Sequence, residues 1–215
     1  MNNEYTHIAI VLDKSGSMGS TLTDTIGGFN TFLEDQKKSP GVACVTLATF
    51  SDSVEFPQEG FIKEVPPLNM HSYRPMGNTA LYDAIGQTIH RLGGKFENMA
   101  EPARPAKVLI AIITDGYENA SREYTSKQVA DMIEHQRIKY GWEFVFIGAN
   151  QDAVVAAKGL NISADNAMTY AANAGGTKAA FGSLSANTAM YRSGGVAHMS
   201  FSNEDRKLQA DQGAA

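Results

Sequence analysis

Short apolar, β-branched runs alternate along this chain with segments whose apolar residues recur at helical spacing. That alternation constrains the fold more than any single motif. "THIAIVLD" (6–13) reads as a buried parallel strand. The segment 21–38 sets Leu22, Ile26, Phe29 and Leu33 on one helical stripe. Gly27 and Gly28 within it weaken a helix by about 1 kcal/mol each relative to Ala, either as a tolerated cost or to let the helix pack closely on a sheet. "GVACVTLATFS" (41–51) follows a Pro-Gly turn and forms the next strand, while "SVEFP" and "FIKEVPPL" read as a hairpin whose prolines suit a sheet edge. Leu81, Ile85, Ile89 and Leu92 predict a helix over 79–93, and "AKVLIAIITDG" (106–116) is the clearest central strand. The capping-box pattern "TSKQ" (125–128) opens a helix to about Tyr140. A strand over 142–150, a short helix near 152–158, a strand at 167–170 and a helix over 175–192 complete the series. Strands alternating with helices predict an α/β fold, Rossmann-like and doubly wound, with a mostly parallel sheet covered on both faces.

No repeat or linker divides the chain, so residues 1–192 read as one domain. Residues 193–215, "SGGVAHMSFSNEDRKLQADQGAA", form a polar C-terminal tail, either flexible or docked on the domain.

Composition removes several function classes. The formal net charge is −5 and Lys and Arg form no cluster, so a nucleic-acid partner held through a basic face is not expected. A single cysteine, Cys44, excludes an intrachain disulfide and sits in an apolar run as a small buried hydrophobe. No apolar stretch reaches the roughly 18 residues of a membrane span, and no basic segment followed by an apolar one precedes the first strand. The expectation is a cytoplasmic protein without a membrane partner.

In open α/β sheets, ligands bind beyond the carboxyl ends of the strands, where strand order reverses. Asp13 ends the first strand and Asp115 ends the strongest later one. Two carboxylates facing one crevice repel, so a cation or protons should accompany them. Ser15 and Ser17 alternate with Asp13 in a D-x-S-x-S pattern, and "GNTALYDAI" offers Thr79 at a helix start. Such hard oxygen donors suit Mg²⁺ or Mn²⁺, with Ca²⁺ the weaker fit, rather than soft zinc chemistry. Each piece also has an ordinary reading. Ser15 or Ser17 can cap a turn, Thr79 or Asn78 can cap the helix, and Asp115 can be a turn residue.

Other chemistries fit less well. The strand-end Asp13 loosely resembles the nucleophile of haloacid-dehalogenase phosphatases, but Ser15 stands where their second aspartate is required. The chain contains neither G-x-x-x-x-G-K-[ST] nor G-x-S-x-G, and its five histidines show no ligand spacing.

The order of the three pieces is similar to that of the von Willebrand factor type A domain, of an intracellular bacterial or phage type. The family's metal-ion-dependent adhesion site has a D-x-S-x-S part (here Asp13, Ser15, Ser17), a threonine part (Thr79) and an aspartate part (Asp115). The resemblance covers about residues 4–190. It implies six strands in the order 3-2-1-4-5-6, with strand 3 antiparallel at an edge. It also implies that Ser15, Ser17 and Thr79 bind a cation directly, while Asp13 and Asp115 act largely through water. A cation held by neutral hydroxyls keeps much of its charge, so an acidic residue of a protein partner can complete its coordination.

The expected function is therefore a non-catalytic, metal-dependent protein-binding module, narrowed by the resemblance to an adaptor beside an AAA-type ATPase. The alternatives are a metal-dependent phosphoester hydrolase and a structural subunit with a stabilising metal. Met18, Met76, Asn78 and Tyr117 are candidates for a partner-binding rim, since Met and Tyr are enriched in interfaces. Tyr82 either joins that rim or packs under its helix, and Asn150 and Gln151 either shape the rim or form a turn. Lys14 is expected to face solvent or the partner.

Overall fold

The computed structural model describes residues 1–149 and 152–214. It comprises β1 (Asn2–Asp13), α1 (Leu22–Lys38), β2 (Val42–Phe50), β3 (Val54–Phe61), α2 (Leu81–Glu97), β4 (Pro105–Thr114), α3 (Ser126–Tyr140), β5 (Glu143–Ala149), α4 (Ala153–Gly159), β6 (Ala167–Tyr170), α5 (Ala174–Ser193) and α6 (Asn203–Ala210). One six-stranded sheet runs in the order β3-β2-β1-β4-β5-β6. All neighbours are parallel except β2 and β3. The doubly wound α/β architecture with an antiparallel edge strand follows directly.

β1 is central and buried on both faces. Ile8, Ile10 and Leu12 meet Phe29, Phe32 and Leu33 of α1 and Phe181 and Leu184 of α5. Ala9 and Val11, pointing the other way, meet Ile85, Ile89 and Leu92 of α2 and Val129 and Ile133 of α3. The two-residue period of a strand thus feeds two cores. Each fully buried Leu, Ile or Phe contributes roughly 1.5–3 kcal/mol relative to leaving it exposed. The left-handed Gly141 closes α3 behind its Thr125–Gln128 capping box.

The hairpin expected between "SVEFP" and "FIKEVPPL" is not formed. β3 runs unbroken through Pro57 and pairs with β2 instead. The pairing slips between Leu47↔Gln58 and Thr49↔Glu55, an irregularity that accommodates Pro57 on an edge strand. Residues 62–80 then form a long loop packed against α1, with Val65, Leu68 and Tyr73 buried. Asn30 of α1 holds it by donating to Leu68 O at 2.9 Å and accepting from Leu68 N at 2.7 Å.

Beyond α5 the chain returns across the sheet. Met199 and Phe201 are buried in the first core. Ser202 and Asp205 form a capping box that opens α6. Arg206 Nη1 donates to Ala167 O at 2.6 Å, so α6 shields part of the β6 edge. No helix among the described residues is long and apolar enough to cross a membrane.

Candidate metal centre

The reversal of strand order falls between β1 and β4, whose register pairs Leu12 with Ile113. Asp13 and Thr114 therefore leave the sheet side by side, and Asp115 follows at once. Asp13 is fully buried, and both its carboxylate oxygens are engaged. Oδ1 accepts from Ser15 N at 2.6 Å, and Oδ2 accepts from the Thr114 hydroxyl at 2.5 Å. The Tyr73 hydroxyl, from the 62–80 loop, donates to Asp13 O at 2.5 Å.

After Asp13 the chain does not continue extended. Gly16–Thr21 forms a turn of 3₁₀ helix. That turn leaves the Ser15 hydroxyl 3.1 Å from the Ser17 hydroxyl, and Ser17 donates to Asp115 Oδ1 at 2.5 Å. The turn is pinned from both sides. Lys14 N donates to Phe50 O at 2.7 Å, Met76 N to Lys14 O at 2.8 Å, and Gly16 N to Gly77 O at 3.0 Å.

Thr79 enters from the far end of the same loop. It does not cap α2, whose N-cap is Ala80 with no side-chain cap. Nor does Asn78, whose side-chain amide donates to Asp52 Oδ1 at 2.7 Å. A Cβ on Gly116 would stand 3.2 Å from Thr79 Oγ1 and 3.7 Å from Ser17 Oγ. Gly116 thus marks the point where the Thr79 and Ser17 hydroxyls meet, and its missing side chain leaves that space open. The structure brings Asp13, Ser15, Ser17, Thr79 and Asp115 together from three separate loops.

Electrostatics make the donor set suitable for a cation. Burial pushes the Asp13 carboxyl up to about 6; the bonds from Thr114 and Ser15 pull the other way, and the nearby Asp115 charge adds to the rise. Asp115 is raised as well, chiefly by burial, against the pull of Ser17. The groups donating to Asp13 are neutral, so they orient its charge without cancelling it. Two inward carboxylates, three hydroxyls and an open space at Gly116 fit a hard divalent ion. Among the described residues no group of three or more His, Cys, Asp or Glu is placed to hold a metal, so the hydroxyls are indispensable to any such site.

The rim differs from expectation at one position. Met18 is 0 % exposed, because the 3₁₀ turn carries it inward while Ser17 points out. It packs inside and cannot contact a partner. Met76 and Tyr117, by contrast, are 65 % and 66 % exposed, and Asn78 is exposed too. Tyr82 packs against the second core. Lys14 is largely covered and pairs with Glu55 at 2.7 Å, instead of facing solvent. Asn150 and Gln151 lie outside the described residues. Thr114 and Tyr73, which hold Asp13, escaped the sequence reading. Thr114 was adjacent to a chosen residue, but nothing local marks Tyr73.

The family model for the von Willebrand factor type A domain matches residues 7–180. The chain belongs to that family. Type A domains are metal-dependent protein-interaction modules and in general not enzymes. Solved structures of similar fold include the ArnB paralog VWA2 from Sulfolobus acidocaldarius (18% identity, TM-score 0.56, 87% of this chain and 45% of that one). A von Willebrand factor type A protein from Catenulispora acidiphila aligns at 14% identity and TM-score 0.57, over 86% of this chain and 42% of its own. Proximal thread matrix protein 1 of the mussel byssus, with zinc occupying its metal-ion-dependent adhesion site, aligns at 14% identity and TM-score 0.58, over 86% and 46%. This chain spans less than half the length of each. At such identities the likeness is one of fold. Comparison with curated protein sequences gave no match.

Proposed function

We propose that this type A domain binds a divalent cation on Asp13, Ser15, Ser17, Thr79 and Asp115 and uses it to capture an acidic side chain of a protein partner. The observation that carries the reading is that the Thr79 and Ser17 hydroxyls meet beside Gly116, with Ser17 bonded in turn to Ser15 and to Asp115 and exposed at the outer side. Ser15, Ser17 and Thr79 are the direct ligands, and Asp13 and Asp115 orient them or hold bound water. Mg²⁺ is the favoured ion, with Mn²⁺ next, because both accept hard oxygen donors and Mg²⁺ readily retains exchangeable water. A partner carboxylate replaces one such water. Met76, Asn78 and Tyr117 form the rim around it.

Titration calorimetry with Mg²⁺ and Mn²⁺ tests the site: wild type binds and Asp13→Ala does not. Equal binding by both proteins, or binding by neither, refutes it. The narrower role, a cytoplasmic adaptor beside an AAA-type ATPase, rests on the family resemblance. Affinity capture with and without EDTA tests that role, and a partner set unchanged by chelation counts against metal-bridged binding.

A further inference from the structure

α2 starts without a cap of its own, and its first amides are satisfied by other parts of the chain. Ala80 N donates to Ser51 O at 2.8 Å. Thr79 N donates to Asn119 Oδ1 at 2.9 Å, Tyr82 N to Glu118 Oε2 at 3.0 Å and Asp83 N to Ser121 Oγ at 3.1 Å. These last three acceptors lie just after Asp115, in a segment without regular structure.

The grip is returned. Asn119 N donates to Thr79 O at 3.0 Å, so the two residues exchange a pair of hydrogen bonds. The Asp83 carboxylate accepts from the backbone of Arg122 at 2.8 Å, and from Glu123 and Tyr124 at 2.9 Å each. Glu118 also accepts from Ala120 N, Ser121 N and the Ser121 hydroxyl, which rigidifies the segment around Asn119. The Tyr124 ring lies over Gly86 of α2, where a Cβ would stand 2.6 Å from it.

We propose that Asn119 is the positioning residue that aims the Thr79 hydroxyl at the cation, and that Asp83 and Glu118 clamp its segment so that Thr79 and Asp115 keep a fixed separation. The inference rests on the metal reading of the site. Its physical basis is short. Two hydrogen bonds fix the Thr79 backbone, and a β-branched side chain has few χ1 choices once the backbone is fixed. A small divalent ion demands near-ideal octahedral placement, so a hydroxyl displaced by a fraction of an ångström is a poorer ligand. Groups that orient metal ligands typically alter affinity 10–100-fold when removed. Asn119 is itself exposed, so its removal leaves the core untouched.

The test measures Mn²⁺ affinity by calorimetry, and the melting temperature in EDTA, for Asn119→Ala, Asn119→Asp, Thr79→Ala and Asp13→Ala. Asn119→Ala should weaken Mn²⁺ binding about tenfold while the metal-free melting temperature stays near wild type. Asn119→Asp, which keeps the acceptor for Thr79 N, should restore affinity. Should Asn119→Ala lose the fold, Asn119→Gln, which keeps the amide but sets it one methylene further out, should show the same weakening. The inference is overturned if Asn119→Ala and Asn119→Gln bind Mn²⁺ like wild type while Thr79→Ala is impaired, or if Asn119→Asp fails to restore binding. If Thr79→Ala and Asp13→Ala also bind like wild type, the metal reading itself is wrong.

Discussion

The Thr114 hydroxyl donates to Asp13 Oδ2 at 2.5 Å, joining the last residue of β4 to the last residue of β1 across the reversal of strand order. Asp13 is fully buried, so this bond orients a carboxylate lying beneath the surface of the site. Thr114→Val removes the donor and keeps the branched shape. A hydrogen bond to a buried charged group contributes about 1.5–3 kcal/mol. We expect a loss of that size in urea unfolding with EDTA present, largely recovered in Thr114→Ser. An unchanged midpoint for Thr114→Val would show that the bond does not hold Asp13.

The adjacent glycines of α1 should respond in opposite directions. Gly27 has open space where a Cβ would sit, whereas a Cβ on Gly28 would be driven into the Phe181 ring of α5, 2.8 Å from Cγ. Gly28 thus lets α1 pack on a helix, not on the sheet. Gly27→Ala should stabilise by up to about 1 kcal/mol through helix propensity. Gly28→Ala should destabilise by about 1–3 kcal/mol through overpacking. Thermal unfolding of the two variants decides it, and a shift of the same sign in both would contradict the packing.

These examples show where sequence reasoning reaches and where it stops. The strands were legible because β-branched apolar runs buried on both faces have few alternatives, and Thr125 and Gln128 marked the start of α3 because a capping box is local chemistry. Asp13 and Asp115 stood out because each closes such a run. Pro57 rightly suited a sheet edge, but the hairpin read around it did not form, because an irregular pairing with β2 lets β3 run on through it. Tyr73 and Asn119 act through space, across 60 and 40 residues, on Asp13 and Thr79. No periodicity encodes such contacts. Met18 was misplaced because the 3₁₀ helix of Gly16–Thr21 swings the next side chain about 120° away from that of Ser17.

Met18 and Met76 therefore make a matched pair. Met18 is 0 % exposed beneath the site and Met76 is 65 % exposed above it. Met18→Ala should cost about 2–5 kcal/mol, the usual range for a large buried side chain truncated to Ala. Met76→Ala should stay within about 0.5 kcal/mol of wild type. Guanidinium unfolding measures both. A large loss from Met76→Ala would place that side chain in the core, against its exposure.

His7 makes this fold sensitive to acid in the middle of β1. It is fully buried between Tyr5, whose hydroxyl lies 3.1 Å from Nδ1, and Thr46, whose hydroxyl lies 2.9 Å from Nε2, with Phe96 edge-on at 5.1 Å. Burial, helped by Lys95 and opposed by Glu59, drives its pKa down to about 3. In the unfolded chain His7 titrates near its ordinary value of 6.5. Between those two values the unfolded chain binds the extra proton. The stability His7 contributes is therefore complete above about pH 6.5 and declines as pH falls towards 3, by up to about 1.4 kcal/mol per pH unit. Other groups titrate in the same window, burial-raised Asp13 with the opposite sign, so the comparison must isolate His7. His7→Gln keeps polar atoms but cannot take up the proton. The stability difference between wild type and His7→Gln, measured by urea unfolding from pH 7.5 to 4.5, should be constant above about pH 6.5 and shift against wild type below it. A difference that is flat across the whole range would show that His7 is not held neutral in the folded protein.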